Sequence, residues 1–275
     1  MEFQLKPGHV LDAAWNRAES ADGVFDDHAI ARCRAEIETM RDKGVRPLLA
    51  LWHFDCPAWL EERGGFANRD NVTAYLLYVR KMVESVGDLV DEYITFYEPG
   101  RCAFNGYFAG TWPPGQKSFL AFSRVMTNLT AAHIEAYGLI RKTRLQMGFR
   151  DTRAGFVNRL YVFAPGDSAD PVHRFRASRT EPLLQGGPAR AMCLGRAAFP
   201  VGKHPAIVPG RYCDFHGVSG CVRCTVGGGD SGSGEPCPEG LEAAAEKVCG
   251  LLPRPIYITG EAPEYRAAAR GKGED

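Results

Sequence analysis

The alternation of buried-strand runs with amphipathic-helix runs constrains this chain of 275 residues more than any other feature. That order calls for a parallel sheet whose strands are joined by crossover helices. Strand candidates are His9 to Trp15, Arg46 to His53, Tyr93 to Glu98, Ala154 to Phe163, Phe215 to Val222 and Arg254 to Thr259. Helical patterns lie between them, at Asp27 to Lys43, Asn68 to Val86, Ser118 to Lys142, Pro171 to Gln185 and Pro238 to Gly250. In the second of these, Val72, Leu76, Val79 and Val83 recur at helical spacing. Asp26-Asp27 opens the first and Gly44 closes it. Gly227 to Gly234 reads as a flexible loop. Residues 1–265 read as one domain, followed by a polar, frayed tail from Arg266 to Asp275. Six strands fall two short of a closed eight-stranded β/α barrel.

The third strand ends abruptly. Tyr93-Ile94-Thr95-Phe96-Tyr97 is followed by Glu98-Pro99, so an apolar run stops at a carboxylate. In a barrel of parallel strands the C-terminal strand ends surround the active-site mouth, and a carboxylate there reads as catalytic. A lone Glu at a strand end can equally bond to backbone, so its neighbours decide.

Those neighbours form an ordered set. Thr95-Phe96-Tyr97-Glu98-Pro99 resembles Thr-Phe-Asn-Glu-Pro, the acid/base signature of glycoside hydrolase family 1, the β-glucosidase family. Leu51-Trp52-His53-Phe54-Asp55-Cys56-Pro57 resembles that family's His-Trp-Asp-x-Pro segment, which presents a histidine to a sugar hydroxyl; His53 keeps the histidine and Phe54 replaces the tryptophan. Gly64-Gly65-Phe66-Ala67-Asn68-Arg69 resembles its Gly-Gly-Trp-x-Asn-Arg helix entry, and Gly106-Tyr107 with Pro113-Pro114-Gly115 the loop after the acid/base strand. His204-Pro205, Asp214-Phe215-x-Gly217-Val218, Pro238-Glu239-Gly240-Leu241 and Pro255-Ile256-Tyr257-Ile258-Thr259 continue the match in family order. The resemblance spans about Leu11 to Ala262. It implies an incomplete TIM-type (β/α)₈ barrel with strands two to seven present and the first and last missing. It also implies a retaining β-glycosidase of the β-glucosidase type, with Glu98 as acid/base, Glu261 as nucleophile, and His53, Tyr97 and Trp112 facing the sugar.

The same comparison implies damage. The family nucleophile lies in Ile-Thr-Glu-Asn-Gly, whereas this chain reads Ile258-Thr259-Gly260-Glu261-Ala262. One residue of slippage turns a strand side chain to the other face, so Glu261 serves only if the backbone turns at Gly260. Tyr97 stands where an asparagine clamps the sugar 2-hydroxyl. Ser219-Gly220-Cys221 replaces Asn-Tyr-Tyr and so lacks the tyrosine that orients the nucleophile. No counterpart of the first strand is recognised ahead of His9, nor of the eighth after Glu261. Trp112 is either a sugar-stacking platform or a loop anchor. Three readings follow: a β-glycosidase with weakened or lost hydrolysis, a non-catalytic binder of a glycoside, small ligand or partner protein, and a partial chain completed by another polypeptide.

Composition narrows the partners. Lys+Arg and Asp+Glu both total 33, and no basic stripe points to nucleic acid or a membrane surface. No apolar run reaches membrane-spanning length and the N-terminus lacks a leader-like apolar stretch, so a cytoplasmic protein is expected. Nine cysteines are too dilute for a disulfide scaffold. Cys33, Cys56, Cys102, Cys193 and Cys249 read as small buried hydrophobes. Cys213, Cys221, Cys224 and Cys237 raise a zinc question. Cys221 and Cys224 sit on a strand at a spacing that sends them to opposite faces, and structural zinc wants two such knuckles. His133, His173, His204 and His216 show no metal spacing. No metal and no cofactor is expected. The partner expected is a small glycoside or sugar. An opened barrel exposes two sheet edges and an apolar interior, which predicts a homo-oligomer or a covering partner.

Overall fold

Seven parallel strands curl into one sheet in the computed structural model, which describes residues 2–226, 234–250 and 254–260. The path runs Phe3–Leu5, Ile256–Ile258, His216–Val226, Arg153–Pro165, Glu92–Tyr97, Leu48–Ala50, Val10–Asp12. Six of these are the expected strands, with trimmed or extended ends. The seventh, Phe3–Leu5, lies ahead of His9 and pairs in parallel with Ile256–Ile258. This is an addition to the sequence reading, which found no strand there. Three residues carry too little pattern to be read, even with the Pro7-Gly8 turn signal after them.

Phe3–Leu5 and Val10–Asp12 occupy the two ends of the path, yet only residues 6–9 separate them. Five Cα steps reach about 17 Å at most, so the sheet must curl until its edges lie within that span. Contacts across the interior agree. Lys6 Nζ reaches Glu92 Oε2 at 3.1 Å, Tyr257 Oη donates to Glu92 Oε1 at 2.7 Å, and Arg153 Nη1 donates to Tyr257 Oη at 3.1 Å.

Strand alternation sorts the side chains into two cores. Leu48, Ala50, Ile94, Val157, Phe215 and Tyr257 fill the interior with Val10 and Tyr97 against them. The interior is narrow. A Cβ at Gly155 would lie 2.3 Å from the Phe215 carbonyl oxygen, and one at Gly217 would lie 2.4 Å from Val157 Cγ2. Residues one step along, such as Leu49, Leu51, Tyr93 and Phe96, face outward into a large core shared with the helices. The apolar interior whose exposure motivated a covering partner is thus buried within the single chain. Apolar side chains that remain outside include Leu120 and Phe199, at 75% and 68% exposed.

The helices follow their sequence signals. Asp26 caps Asp27–Asp42 by accepting from the His28 and Ala29 amides, and Ser118 caps Phe119–Gln146 through the Ala121 amide. Pro171–Gln185 departs from expectation: α-helix stops at Glu181, and a π-helical turn, Pro182–Gly186, leads into Gly187–Leu194. Among the described residues no helix is long and apolar enough to cross a membrane.

Candidate active site

Three non-glycine residues among those described take positive φ: Ala14 at 52°, Phe54 at 69° and Glu98 at 50°. Each lies just past the C-terminal end of a strand, and the three strands are neighbours. Such conformations cost on the order of 1–3 kcal/mol each and collect at functional sites. Glu98 carries an added restraint, because the residue before a proline disfavours the α regions. Local preference would not hold Glu98 there, so the surrounding contacts do.

Those contacts take up both carboxylate oxygens. Ser219 Oγ donates to Glu98 Oε1 at 2.5 Å, and Arg101 Nη1 donates to Oε2 at 2.9 Å. Arg159 Nε stands 3.5 Å from Oε1, completing an ion-pair cluster around a carboxylate that is 3% exposed. Arg101 in turn lies 5.0 Å over the Trp112 ring and 6.0 Å from that of Phe54. Trp112 and Phe54 meet edge-to-face at 5.5 Å.

Glu98, His53 and Tyr97 line one cavity of about 530 Å³ at the C-terminal mouth. A register shift between Ile94 and Tyr97 re-aims the strand end so that Ile94 and Tyr97 both face inward. The His53 and Tyr97 rings are 4.2 Å apart. Burial pushes the Tyr97 phenol up, so it stays protonated at neutral pH. Its hydroxyl lies 3.5 Å from Thr259 Oγ1 on the opposite side of the mouth. Thr259 and Gly260 line the same cavity. Glu261 lies outside the described residues.

Trp112 lines a second cavity of about 610 Å³ that shares Glu98, Arg101 and Arg159 with the first. Phe104, Phe108, Tyr161 and Phe163 add aromatic wall. The wall rises because Arg153–Pro165 and His216–Val226 stay paired well beyond the mouth, to Pro165 and Val226, after a bulge at Asn158/Arg159. Trp112 both lines this cavity and carries the Arg101 contact.

Sequence reasoning missed Arg101, Arg159, Ser219 and Asp12. The serine and Arg159 meet Glu98 only through long-range folding. Asp12 lines the mouth beside His53, and its carboxyl is raised mainly by burial, against a backbone hydrogen bond from Ala14 and the nearby His53. A raised carboxyl holds its proton to higher pH than an exposed one. Asp12 sits on the Val10–Asp12 strand, whereas the resemblance puts the partner of Glu98 after Thr259.

Cys221 and Cys224 take opposite faces of the His216–Val226 strand. Cys221 is buried beside Cys237, whose amide donates to the Cys221 carbonyl at 2.9 Å, and Cys224 faces the aromatic cavity.

Comparison with known proteins agrees with this architecture. Residues 13–195 match the model of the family described as glycosyl hydrolase family 1. β-Glucosidase A of Thermotoga maritima is 31% identical over 134 residues, which cover 49% of this chain and 29% of that protein. A 1,4-β-D-glucan glucohydrolase of Thermotoga neapolitana is 31% identical over 134 residues, covering 49% and 30%. The matched stretches therefore cover less than a third of these two curated relatives. Among solved structures, a β-glycosidase from Pyrococcus horikoshii superposes with a TM-score of 0.74 at 26% identity, over 90% of this chain and 60% of that one. A β-glucosidase from Exiguobacterium antarcticum superposes with a TM-score of 0.76 at 19% identity, over 90% and 62%. The latter likeness speaks to fold alone.

Proposed function

The chain belongs to glycosyl hydrolase family 1, and from that premise we propose that it binds a small β-linked glycoside at the barrel mouth while hydrolysing it slowly or not at all. The observation that carries this reading is the engagement of Glu98. A general acid must present a proton to the leaving oxygen, yet Ser219 and Arg101 donate to both of its oxygens and Arg159 closes the cluster.

The other half of the chemistry is weakened too. Retention needs a second carboxylate about 5–5.5 Å from the first, and the strand facing Glu98 brings Thr259 and Gly260 to the mouth. General-acid assistance alone contributes about 10²–10⁴-fold, far below what the full pair achieves. Binding has better support. The mouth falls within the roughly 300–1,000 Å³ of small-molecule sites, His53 and Tyr97 offer polar groups, and the adjoining aromatic cavity suits an apolar aglycone.

The test pairs turnover with binding. Hydrolysis of an activated aryl β-glucoside should be slow or undetectable, and Glu98→Gln should change it by less than about threefold, since Glu98 transfers no proton in this reading. Calorimetric or NMR titration with the same glucoside should still show binding, weakened by His53→Ala. Robust turnover abolished by both Glu98→Gln and Glu261→Gln would instead establish the chain as a working family glycosidase, with Glu261 re-aimed at Gly260.

A further inference from the structure

Away from the mouth, at the start of the His216–Val226 strand, three ligand-type side chains converge in the core. Cys193, near the end of helix Gly187–Leu194, meets Cys213 and His216, and their ligand atoms all lie within 4.8 Å of one another. The three residues are 3%, 1% and 2% exposed. His216 Nδ1 stands 4.0 Å from Cys193 Sγ, and its Nε2 is buried without a hydrogen-bond partner.

We propose that Cys193, Cys213 and His216 bind one zinc ion that fastens the 195–213 loop to the base of the barrel. Two ligands on a common zinc lie about 3.8 Å apart for a sulfur pair and about 3.5 Å for sulfur and nitrogen, given the usual bond lengths. From 4.0 Å the Cys193–His216 pair must close by about 0.5 Å, and no pair, all lying within 4.8 Å, by more than about 1.3 Å. Cys213 and His216 are separated by two residues, a spacing that lets one short turn offer two ligands to one ion. Cys193 arrives from a different element, brought in by main-chain hydrogen bonds from Gly210 to Leu194 and from Tyr212 to Cys193, each 3.0 Å.

Charge selects the ion. Two thiolates and a neutral imidazole carry two negative charges, and a divalent cation leaves the buried site neutral, which a low-dielectric interior requires. Thiolate donors select soft or borderline metals over magnesium and calcium. On binding, two thiol protons leave to solvent while two sulfur–zinc bonds and one nitrogen–zinc bond form. Cys213 Sγ contacts the Phe215 carbonyl oxygen at 2.6 Å. Loss of the thiol proton frees that oxygen to serve as a fourth donor. The site is independent of the mouth and of any glycoside.

Metal analysis of the purified full chain decides the matter. About one zinc per chain should survive gel filtration, and cobalt in its place should give thiolate-to-metal absorption in the near ultraviolet with tetrahedral bands in the visible. Cys193→Ala and Cys213→Ala should lose both signals, whereas Cys33→Ala should keep them. Should the core alanines fail to fold, the wild-type chain still decides through its metal content, its cobalt spectrum and a lowered melting temperature in chelator. A metal-free wild-type chain whose cysteines all react as thiols once denatured would overturn the proposal. So would a Cys193–Cys213 disulfide in its peptide map, or zinc retained by folded Cys213→Ala.

Discussion

Acidification from pH 7 to pH 4 is expected to remove roughly 3 kcal/mol of folding stability through His133 alone, and roughly 4 kcal/mol by pH 3. His133 is fully buried on helix Phe119–Gln146, with Nδ1 2.7 Å from Thr95 Oγ1 and its ring 5.0 Å from that of Phe156. Burial lowers its imidazole from 6.5 to about 3, with the neighbouring His216 acting in the same sense and the carbonyls of Tyr212 and Met192 only partly opposing. The sign follows from linkage. Between about 6.5 and about 3 the unfolded chain takes up a proton that the folded chain refuses, so stability falls as pH falls through that window. Asp12 and Glu19, both raised mainly by burial, act in the opposite direction, since the folded chain holds their protons more firmly. Hydrogen bonds from the Ala14 amide to Asp12 and from Trp15 and the Gly23 amide to Glu19 oppose that rise, so their counterweight is smaller.

Against a total of about 5–15 kcal/mol for a typical domain, such a loss brings unfolding within reach near pH 4. Urea denaturation across pH 4–7 measures it, with chelator present throughout so that acid release of zinc does not contribute. His133→Gln should start less stable and lose less on acidification. A wild-type stability that is flat over that range, or an equal slope in the glutamine variant, would remove His133 as the cause.

How far the sequence foretold this molecule depends on the range of the interactions involved. Strands such as Glu92–Tyr97 and Ile256–Ile258 were legible because buried parallel strands read as short apolar runs, and helix ends because Asp26 and Ser118 are local caps. Phe3–Leu5 was not legible, being short and defined by its partner rather than its own pattern. At the mouth, Glu98 was legible from a local motif. What engages it was not: Ser219 lies 121 residues away, and nothing near Ser219 in the sequence marks it as a donor to a carboxylate. Arg101 lay within three residues and could have been found, since an Arg at i+3 on a helix opening at Pro99 turns back over Glu98. The Cys193 cluster shows both cases together. The Cys213-x-x-His216 pair is visible in the chain, but its third member comes from a helix that only the folded loop brings near.

Replacing Gly260 with glutamate is expected to raise hydrolysis of an activated aryl β-glucoside by about 10²-fold or more over the parent chain. By resemblance, the residue after Thr259 is the family's nucleophile position, and here it is a glycine lining the same cavity as Glu98. The strand leading to it is intact. Ile256–Ile258 is paired on both edges, and the Thr259 amide donates to the Val218 carbonyl at 2.9 Å. A carboxylate at 260 would therefore be offered from a fixed backbone, which is what a nucleophile needs. Two features cap the gain. Tyr97 stands where the resemblance expects an asparagine on the 2-hydroxyl, so hydrogen bonds that strengthen in the transition state are missing. Glu98 must also release Ser219 or Arg101 before it can deliver a proton, so the double variant Gly260→Glu/Ser219→Ala should be faster still. Gly260→Gln should gain nothing, and Glu98→Gln should cancel the gain in the Gly260→Glu background. NMR of the first-formed sugar should show retained β configuration, the signature of a double displacement. A folded Gly260→Glu chain that binds the glucoside yet turns over no faster than its parent would mean that the barrel has lost more than its nucleophile.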